Sequence, residues 1–149
     1  MTNLQNFLIR RNILEDLDNV KVENLFAGIF TIAMGVVLKN FDFAFEKIQL
    51  LNEQSRYISV QGESEWFFDD QERAINCFFP VIHDEELNIS FIYKDQQHIL
   101  PLEKNYLYFL PSWMSYRFIS NKDKNEIKIA HFWFFSEKKI KNKENNTWW

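Results

Sequence analysis

Between residues 56 and 135 the chain alternates short apolar runs with short polar turns. The apolar runs are rich in Ile, Val, Phe and Tyr, residue types that favour β-strands. Their spacing is typical of an antiparallel sandwich or barrel. The pattern therefore predicts seven strands, at residues 56–60, 74–82, 87–93, 97–101, 105–111, 114–120 and 126–135.

The N-terminal third carries a different signal. Residues 25–38, LFAGIFTIAMGVVL, are apolar, rich in β-branched side chains and interrupted by two glycines, which predicts one or two buried strands. Residues 41–54 place apolar side chains on one face and polar ones on the other, which predicts a helix with Asn40 as its N-cap. The apolar positions of residues 1–20 fit either a helix or a strand followed by a short helix.

The composition fits one globular domain. The chain has 149 residues, of which 46% are hydrophobic and 26% charged, so it can bury a core. Aromatic residues reach 17%, which favours a core filled by large rings between β layers. We expect a strand and helix support in residues 1–55, a β-barrel core in residues 56–135, and a basic tail with two Trp in residues 136–149.

Several functional classes are excluded by residue counts. Three glycines leave no glycine-rich phosphate loop, and a single Cys leaves neither a disulfide framework nor a four-thiolate zinc site. The net charge of −4 argues against specific nucleic-acid binding. Residues 1–18 do not resemble a signal peptide, and the longest apolar run is too short to span a membrane. We therefore expect a cytoplasmic or virion-associated protein that is not secreted and has no membrane partner.

Residues 97–135, QHILPLEKNYLYFLPSWMSYRFISNKDKNEIKIAHFWFF, have a distinctive order. A strand reaches a Pro-Leu-Glu-Lys-Asn turn, an apolar strand runs into Phe-Leu-Pro-Ser-Trp, and a charged loop precedes a final aromatic strand. This resembles the C-terminal part of the double-stranded β-helix in iron(II)/2-oxoglutarate oxygenases, on the prolyl-hydroxylase-like side of that family. Upstream, EWFFDDQERAINCFFPVIHDEELNISFIYKD is similar to the segment that carries the first metal ligands. The resemblance spans Trp66–Phe135 and implies an antiparallel, jelly-roll-like barrel with one or two supporting N-terminal helices.

The same resemblance implies where a site would lie. The family holds iron with a His-x-Asp/Glu pair and a distant His, and a basic residue on the last strand pairs with the far carboxylate of the cosubstrate. In this sequence the pair falls on Phe67 and Asp69, the distant His position on Tyr116, and the base on Lys128. Phe67 cannot bind a metal, and Tyr116 stands in place of the distant His, so two of the three iron ligands of the family are absent. The four residues are therefore expected to form a degenerate pocket with no metal and no cofactor.

The histidines leave a second metal arrangement open. His83 and Glu85 form a His-x-Glu pair, and His131 follows in a later strand. Together they would make a rearranged triad for iron(II) and 2-oxoglutarate. The structural alternative is that His83 lies in a solvated acidic turn and that His131 packs in the core, on the strand face opposite Lys128.

Lys128 itself has two interpretations. It shares a strand face with Ala130, Phe132 and Phe134, so it is expected to point into the barrel. A buried Lys needs a partner there, and Asp69 or a bound anion would supply one. The alternative is a lysine that reaches solvent at the rim of the barrel.

The tail, SEKKIKNKENNTWW, combines several Lys with Trp148 and Trp149. Adjacent exposed indoles are unfavourable in water, so we expect both to pack against protein, either in a groove on this chain or on another copy of the chain or a protein partner. The leading hypothesis from the sequence is a non-catalytic, oxygenase-like barrel that acts as a binding or assembly module, for example in a virion or another multi-protein particle. The alternatives are an active oxygenase with a rearranged site and a barrel that binds a small anion.

Overall fold

The computed structural model describes residues 9–21, 25–42, 56–68, 74–82, 86–120, 127–135 and 141–142. In chain order the elements of these residues are β1 (Ile9–Asn12), α1 (Leu14–Leu17), α2 (Leu25–Asn40), β2 (Phe41–Asp42), β3 (Arg56–Val60), β4 (Ala74–Ile82), β5 (Asn88–Tyr93), β6 (Gln96–Pro101), β7 (Tyr106–Pro111), β8 (Tyr116–Ile119), β9 (Ile127–Phe135) and β10 (Lys141–Asn142).

Two antiparallel sheets organise the fold. The larger sheet has the strand order β1-β7-β4-β9-β3, and the smaller has the order β6-β5-β8. Residues 63–67 extend the smaller sheet beyond β8 through two isolated bridges, Glu63 to Ile119 and Phe67 to Tyr116. The mostly β, antiparallel architecture predicted from the sequence is confirmed, and all seven predicted strands are present with their ends shifted by at most two residues.

The pairings are nested about one hairpin. β5 pairs with β6, β4 with β7, residues 63–67 with β8, and β3 with β9, so each pair encloses the previous one along the chain. The β5–β6 connection is a two-residue turn in which Lys94 and Asp95 have φ values of 52° and 62°. Positive φ at both central positions is the geometry of a type I′ turn, whose twist matches that of the flanking strands.

The two sheets face each other across one hydrophobic core. Strand residues alternate in orientation, so Ile58, Phe78, Tyr108 and Ile129 of the larger sheet meet Phe91 and Phe118 of the smaller one. These side chains are at least nine-tenths buried. Among the described residues the sheets stack as a sandwich, and they do not close into the barrel that the sequence predicted.

A second core lies on the other face of the larger sheet, beneath α2. Ile29, Ala33, Val36 and Val37 follow the i, i+4, i+7, i+8 spacing of one helix face, and all four are buried. They pack on residues of β4, β7 and β9 that include Cys77 and Phe132. The larger sheet is therefore covered on both faces.

This helix corrects the sequence prediction for residues 25–38. A continuous apolar run does not distinguish a buried strand from a buried helix, and the 16-residue length of α2 decides for the helix. Neither α1 nor α2, the helices of the described ranges, combines the length and hydropathy that a membrane span needs.

The helix predicted for residues 41–54 does not begin as expected. Asn40 ends α2, and Phe41–Asp42 form β2, which pairs with β10. The remainder of that predicted helix lies outside the described residues. Of residues 1–20 the structure describes those from Ile9 onward, and there a strand, β1, is followed by a short helix, α1.

Candidate functional site

Phe67 and Tyr116 lie directly opposite each other in the smaller sheet. The Phe67 N–H donates to the Tyr116 carbonyl at 2.7 Å, and the Tyr116 N–H donates to the Phe67 carbonyl at 3.0 Å. Their rings stack with centroids 5.2 Å apart and an interplanar angle of 25°. The two positions that the resemblance assigns to metal-binding histidines are therefore adjacent in space and joined ring to ring.

The ring of Phe78 connects this pair to the larger sheet. Phe78 is fully buried, and its ring centroid lies 4.9 Å from that of Tyr116 and 5.0 Å from the imidazole of His131. The His131 and Phe78 planes differ by only 18°, so the imidazole packs flat on the phenyl ring. Aromatic rings thus fill the space between the sheets at this level.

The rings of Phe67, Tyr116, Phe78 and His131 form an aromatic cluster, and a pocket of about 90 Å³ opens beside it. Residues from both sheets line this pocket. One side is formed by one end of the inner face of the larger sheet, and the opposite side by residues 67–68 and the first residue of β8. Its lining residues are Arg56, Ile58, Phe67, Phe68, Asn76, Tyr116, His131 and Trp133.

Strand register explains why these residues meet. Arg56 of β3 pairs with His131 of β9, and Asn76 of β4 pairs with Trp133 of β9. Paired residues point to the same face of a sheet, and residues two apart along a strand do so as well. Register alone therefore brings the polar groups of three neighbouring strands to the inner face of the larger sheet.

His131 is held as a neutral base. Its Nε2 lies 2.8 Å from Oδ1 of Asn76, and because that oxygen can only accept, Nε2 carries the proton and donates it. Burial, and to a lesser extent the positive charge of Arg56, lower the pKa of His131 to about 3. The imidazole therefore stays uncharged at neutral pH.

Arg56 supplies the charge of the pocket. Among the described residues that line the pocket it is the one cationic side chain, and none of these residues carries a carboxylate. Within the described part of the chain no carboxylate oxygen lies within 4.0 Å of the Arg56 guanidinium; the ion pairs seen there are Arg10 with Glu103 and Arg117 with Glu63. The described lining thus carries one positive charge, with the buried polar groups of Asn76 and His131 on the larger sheet and aromatic rings on the opposite side.

Contrary to the prediction from the sequence, Lys128 does not point into the space between the sheets. The predicted alternation holds, and Lys128 shares its face with Ala130, Phe132 and Phe134, but that face lies under α2 and not between the sheets. The Lys128 ammonium sits 5.3 Å from the ring centroid of Tyr57 and is only partly buried. Lys128 is therefore on the opposite side of the larger sheet from Phe67 and Tyr116, and the predicted convergence fails for it.

The other predicted site residues fall outside the described ranges. They are Asp69, His83, Glu85, Trp148 and Trp149. Among the residues that are described, no three His, Cys, Asp or Glu side chains form a group able to hold a metal ion. Of the rearranged triad, His131 alone is placed, and its Nε2 already bonds to Asn76.

Phe67 and Tyr116, the described residues at the two histidine positions of the mapping, do not fit an iron ion. Phe67 offers no donor atom, and Tyr116 offers only a phenol whose ring stacks on Phe67 and packs at a tilt against Phe78. No catalytic step through iron can be assigned to them.

Sequence reasoning missed the contributions of Arg56 and Asn76. The available signal was strand parity: Arg56 lies two residues before Ile58, and Asn76 two residues before Phe78, so each is a polar residue in line with inward-facing apolar ones. For His131 the sequence predicts only a metal ligand or a core residue.

Among known proteins, no family model matches the chain and no curated protein matches it.

Proposed function

We propose that the chain is a non-catalytic domain with the jelly-roll topology of the oxygenase double-stranded β-helix, and that it acts as a binding module. The stacked pair of Phe67 and Tyr116 carries the proposal. In the mapping onto the oxygenases these are the two histidine positions. Here they hold a hydrocarbon ring and a phenol in mutual contact, which leaves no metal-binding face.

The strand pairings support the jelly-roll assignment. Counting from β3, with residues 63–67 as the second strand, the pairs are first with eighth, second with seventh, third with sixth and fourth with fifth. That nested order is what folding a long hairpin over itself produces, and it yields two facing antiparallel sheets. A jelly roll accommodates many functions, so the function has to be argued from the pocket residues.

The alternative of an active oxygenase with a rearranged triad is disfavoured by His131. Its Nε2 is committed to Asn76, and its Nδ1 is buried without a hydrogen-bond partner in the described residues. To bind iron(II), His131 would have to break the hydrogen bond between its Nε2 and Asn76 or open the packing around its Nδ1. The stack of His131 on Phe78 opposes such a movement.

A role in assembly rests on the tail and on exposed aromatic residues near the pocket. Phe68 is 66% exposed and Trp66 41% exposed, which is unusual for such large apolar side chains. The Arg117 guanidinium lies over the Trp66 ring at 4.8 Å and fixes its orientation. In this proposal Trp66 and Phe68 contact a protein partner, and so do Trp148 and Trp149 of the tail.

The test combines metal analysis with turnover. The purified chain is incubated anaerobically with iron(II), and its metal content is measured together with 2-oxoglutarate consumption after oxygen is admitted. We expect neither stoichiometric iron nor turnover. Iron near one per chain with 2-oxoglutarate consumption would overturn the proposal.

A designed variant tests the positional mapping. Phe67→His/Tyr116→His would place two imidazoles across one strand pair, near the carboxylate that the mapping supplies from Asp69. We expect this variant to gain cobalt and nickel binding of at least tenfold, and the matched variant Phe67→Leu/Tyr116→Phe to gain none. If both variants bind the metals equally, the mapping is wrong.

A further inference from the structure

The pocket beside the aromatic cluster has chemistry of its own. Its charged group is the Arg56 guanidinium, and its floor contains the buried side chains of Asn76 and His131, which are 3% and 6% exposed. Because Oδ1 of Asn76 accepts from His131, the amide Nδ2 is the remaining donor of that side chain. Arg56 and Asn76 both belong to the larger sheet, so a cation and an amide donor line the same side of the pocket, which favours an acceptor group on the ligand.

The charge balance restricts that group to a monoanion. Among the described lining residues one guanidinium faces the pocket and no side chain is acidic, so these residues neutralise a single negative charge. A second charge, as on phosphate or sulfate, would be placed against aromatic walls without a partner, and burying an unpaired charge is costly. A carboxylate also matches the planar fork of Arg better than a tetrahedral anion does.

Volume and walls restrict the rest of the ligand. At about 15 Å³ for each water-sized group, 90 Å³ accommodates about six non-hydrogen atoms. The walls are the rings of Phe67, Phe68 and Tyr116, which favour a short carbon body over a polar one. Three or four carbons bearing one carboxylate satisfy both conditions.

We propose that this pocket binds a small monocarboxylate of about six non-hydrogen atoms, with its carboxylate on Arg56 and its carbon body between the aromatic walls. The inference rests on the proposed function only in treating the chain as a binding module. It requires no metal and no reaction.

The test is a titration of the full chain in the presence of a chelator, followed by calorimetry and by NMR of the His131 imidazole. The probes are butyrate and lactate, with butyramide as the neutral match of butyrate, and with 2-oxoglutarate and inorganic phosphate as larger or more highly charged anions. We expect butyrate or lactate to bind with a Kd at or below about 1 mM, equivalent to about 4 kcal/mol. Butyramide, phosphate and 2-oxoglutarate are expected to bind at least tenfold more weakly.

Two matched variants locate the site. Arg56→Met removes the cation but keeps a long apolar side chain, and it should weaken carboxylate binding at least tenfold. Lys128→Met removes a cation from the neighbouring strand on the other face of the same sheet, and it should leave binding unchanged. Both variants are compared with the wild type by thermal unfolding to confirm that they fold.

The outcomes separate the two proposals. The carboxylate site would be overturned if butyrate and lactate fail to bind, if they bind equally to Arg56→Met, or if they leave the His131 signal unchanged. Each of these results would leave the non-catalytic assignment intact. Equal binding of butyramide would overturn the role of the charge. Iron-dependent consumption of 2-oxoglutarate would overturn the non-catalytic assignment, and the chelated titration would still decide on the carboxylate.

Discussion

Nε2 of His131 donates to Oδ1 of Asn76 across 2.8 Å, between two adjacent strands of the larger sheet. The contact fixes which imidazole nitrogen carries the proton and places an uncharged base in the floor of a positive pocket. His131 is thus a buried polar residue with one defined partner, and its protonation is tied to the integrity of the fold.

The stability of the chain should therefore depend on His131 below neutral pH. In the unfolded chain His131 takes up a proton near its usual pKa of 6.5, whereas in the folded chain its pKa is about 3. Between these values the unfolded state holds one more proton, so the free energy of unfolding falls as the pH is lowered, by up to about 1.4 kcal/mol per pH unit. We expect denaturant unfolding to show this loss between about pH 6 and pH 4.

The variant His131→Gln isolates that contribution. Glutamine keeps a hydrogen-bonding side chain but does not titrate. The difference in the free energy of unfolding between wild type and variant should therefore shrink or reverse towards pH 4. His98→Gln, outside the His131–Asn76 pair, is the control. A wild-type pH profile that is unchanged in His131→Gln would show that the imidazole is not buried as a neutral group.

The two glycines of α2 should respond in opposite ways to alanine. A Cβ at Gly28 would lie 2.5 Å from Cγ1 of Val20, whereas a Cβ at Gly35 would meet nothing within 4 Å. Gly35→Ala should raise the free energy of unfolding by about 0.5–1 kcal/mol, because Gly is unfavourable inside a helix. Gly28→Ala should lower it by about 1–3 kcal/mol through overpacking.

A double variant checks the cause of the Gly28 effect. Val20→Ala removes the two methyl groups that a Cβ at position 28 would meet. Combined with Gly28→Ala it should cost less than the sum of the two single changes, as measured by a double-mutant cycle in urea. Simple additivity would contradict the close approach of α2 to Val20.

The tail prediction follows from the two indoles. Each can bury on the order of 200 Å², worth a few kcal/mol at ~25 cal/mol per Å² before the cost of ordering the tail. Deletion of residues 145–149 should therefore weaken self-association or partner capture, measured by light scattering and pull-down, while the unfolding midpoint stays within a few degrees. Lys138→Gln/Lys139→Gln is the control for tail charge. An unchanged assembly state in the truncated chain would leave the tail without an assembly role.

Sequence patterns predicted most of the β-structure because the relevant signals are local. The strands from residue 56 onward combine β-forming residues with polar turns, and both signals act over fewer than ten residues. The helix at Leu25–Asn40 was missed because its run is apolar throughout, so neither period stands out. In such a run the β-branched residues favour strands and the glycines disfavour a helix, and tertiary packing overrides both preferences.

Lys128 shows a second limit. Its parity within β9 was predicted correctly, but both faces of the larger sheet are buried, one under α2 and one under the smaller sheet. Alternation distinguishes the two faces of such a strand without telling which of them lines the space between the sheets. The pocket was missed for the same reason, since Arg56 and Asn76 belong to it only through pairings across distant strands.

The nested pairing has a consequence for how the chain folds. The β5–β6 hairpin joins neighbours in sequence, whereas Ser59 and Lys128, which pair in the outermost ladder, are far apart along the chain. Closing the outer ladder first would cost more chain entropy than forming the hairpin, and topologies dominated by distant pairings fold slowly. We expect folding to start at the hairpin and to add pairs outward, with β3 docking late.

The turn at Lys94 and Asp95 should accordingly set the refolding rate. Lys94→Asn/Asp95→Gly supplies the residues that a type I′ turn prefers, so stopped-flow refolding should become faster with little change in the unfolding rate. Ile58→Val trims a buried side chain on β3 and should mainly accelerate unfolding. The reverse assignment of the two rate changes would mean that the sandwich assembles from its outermost strands inward.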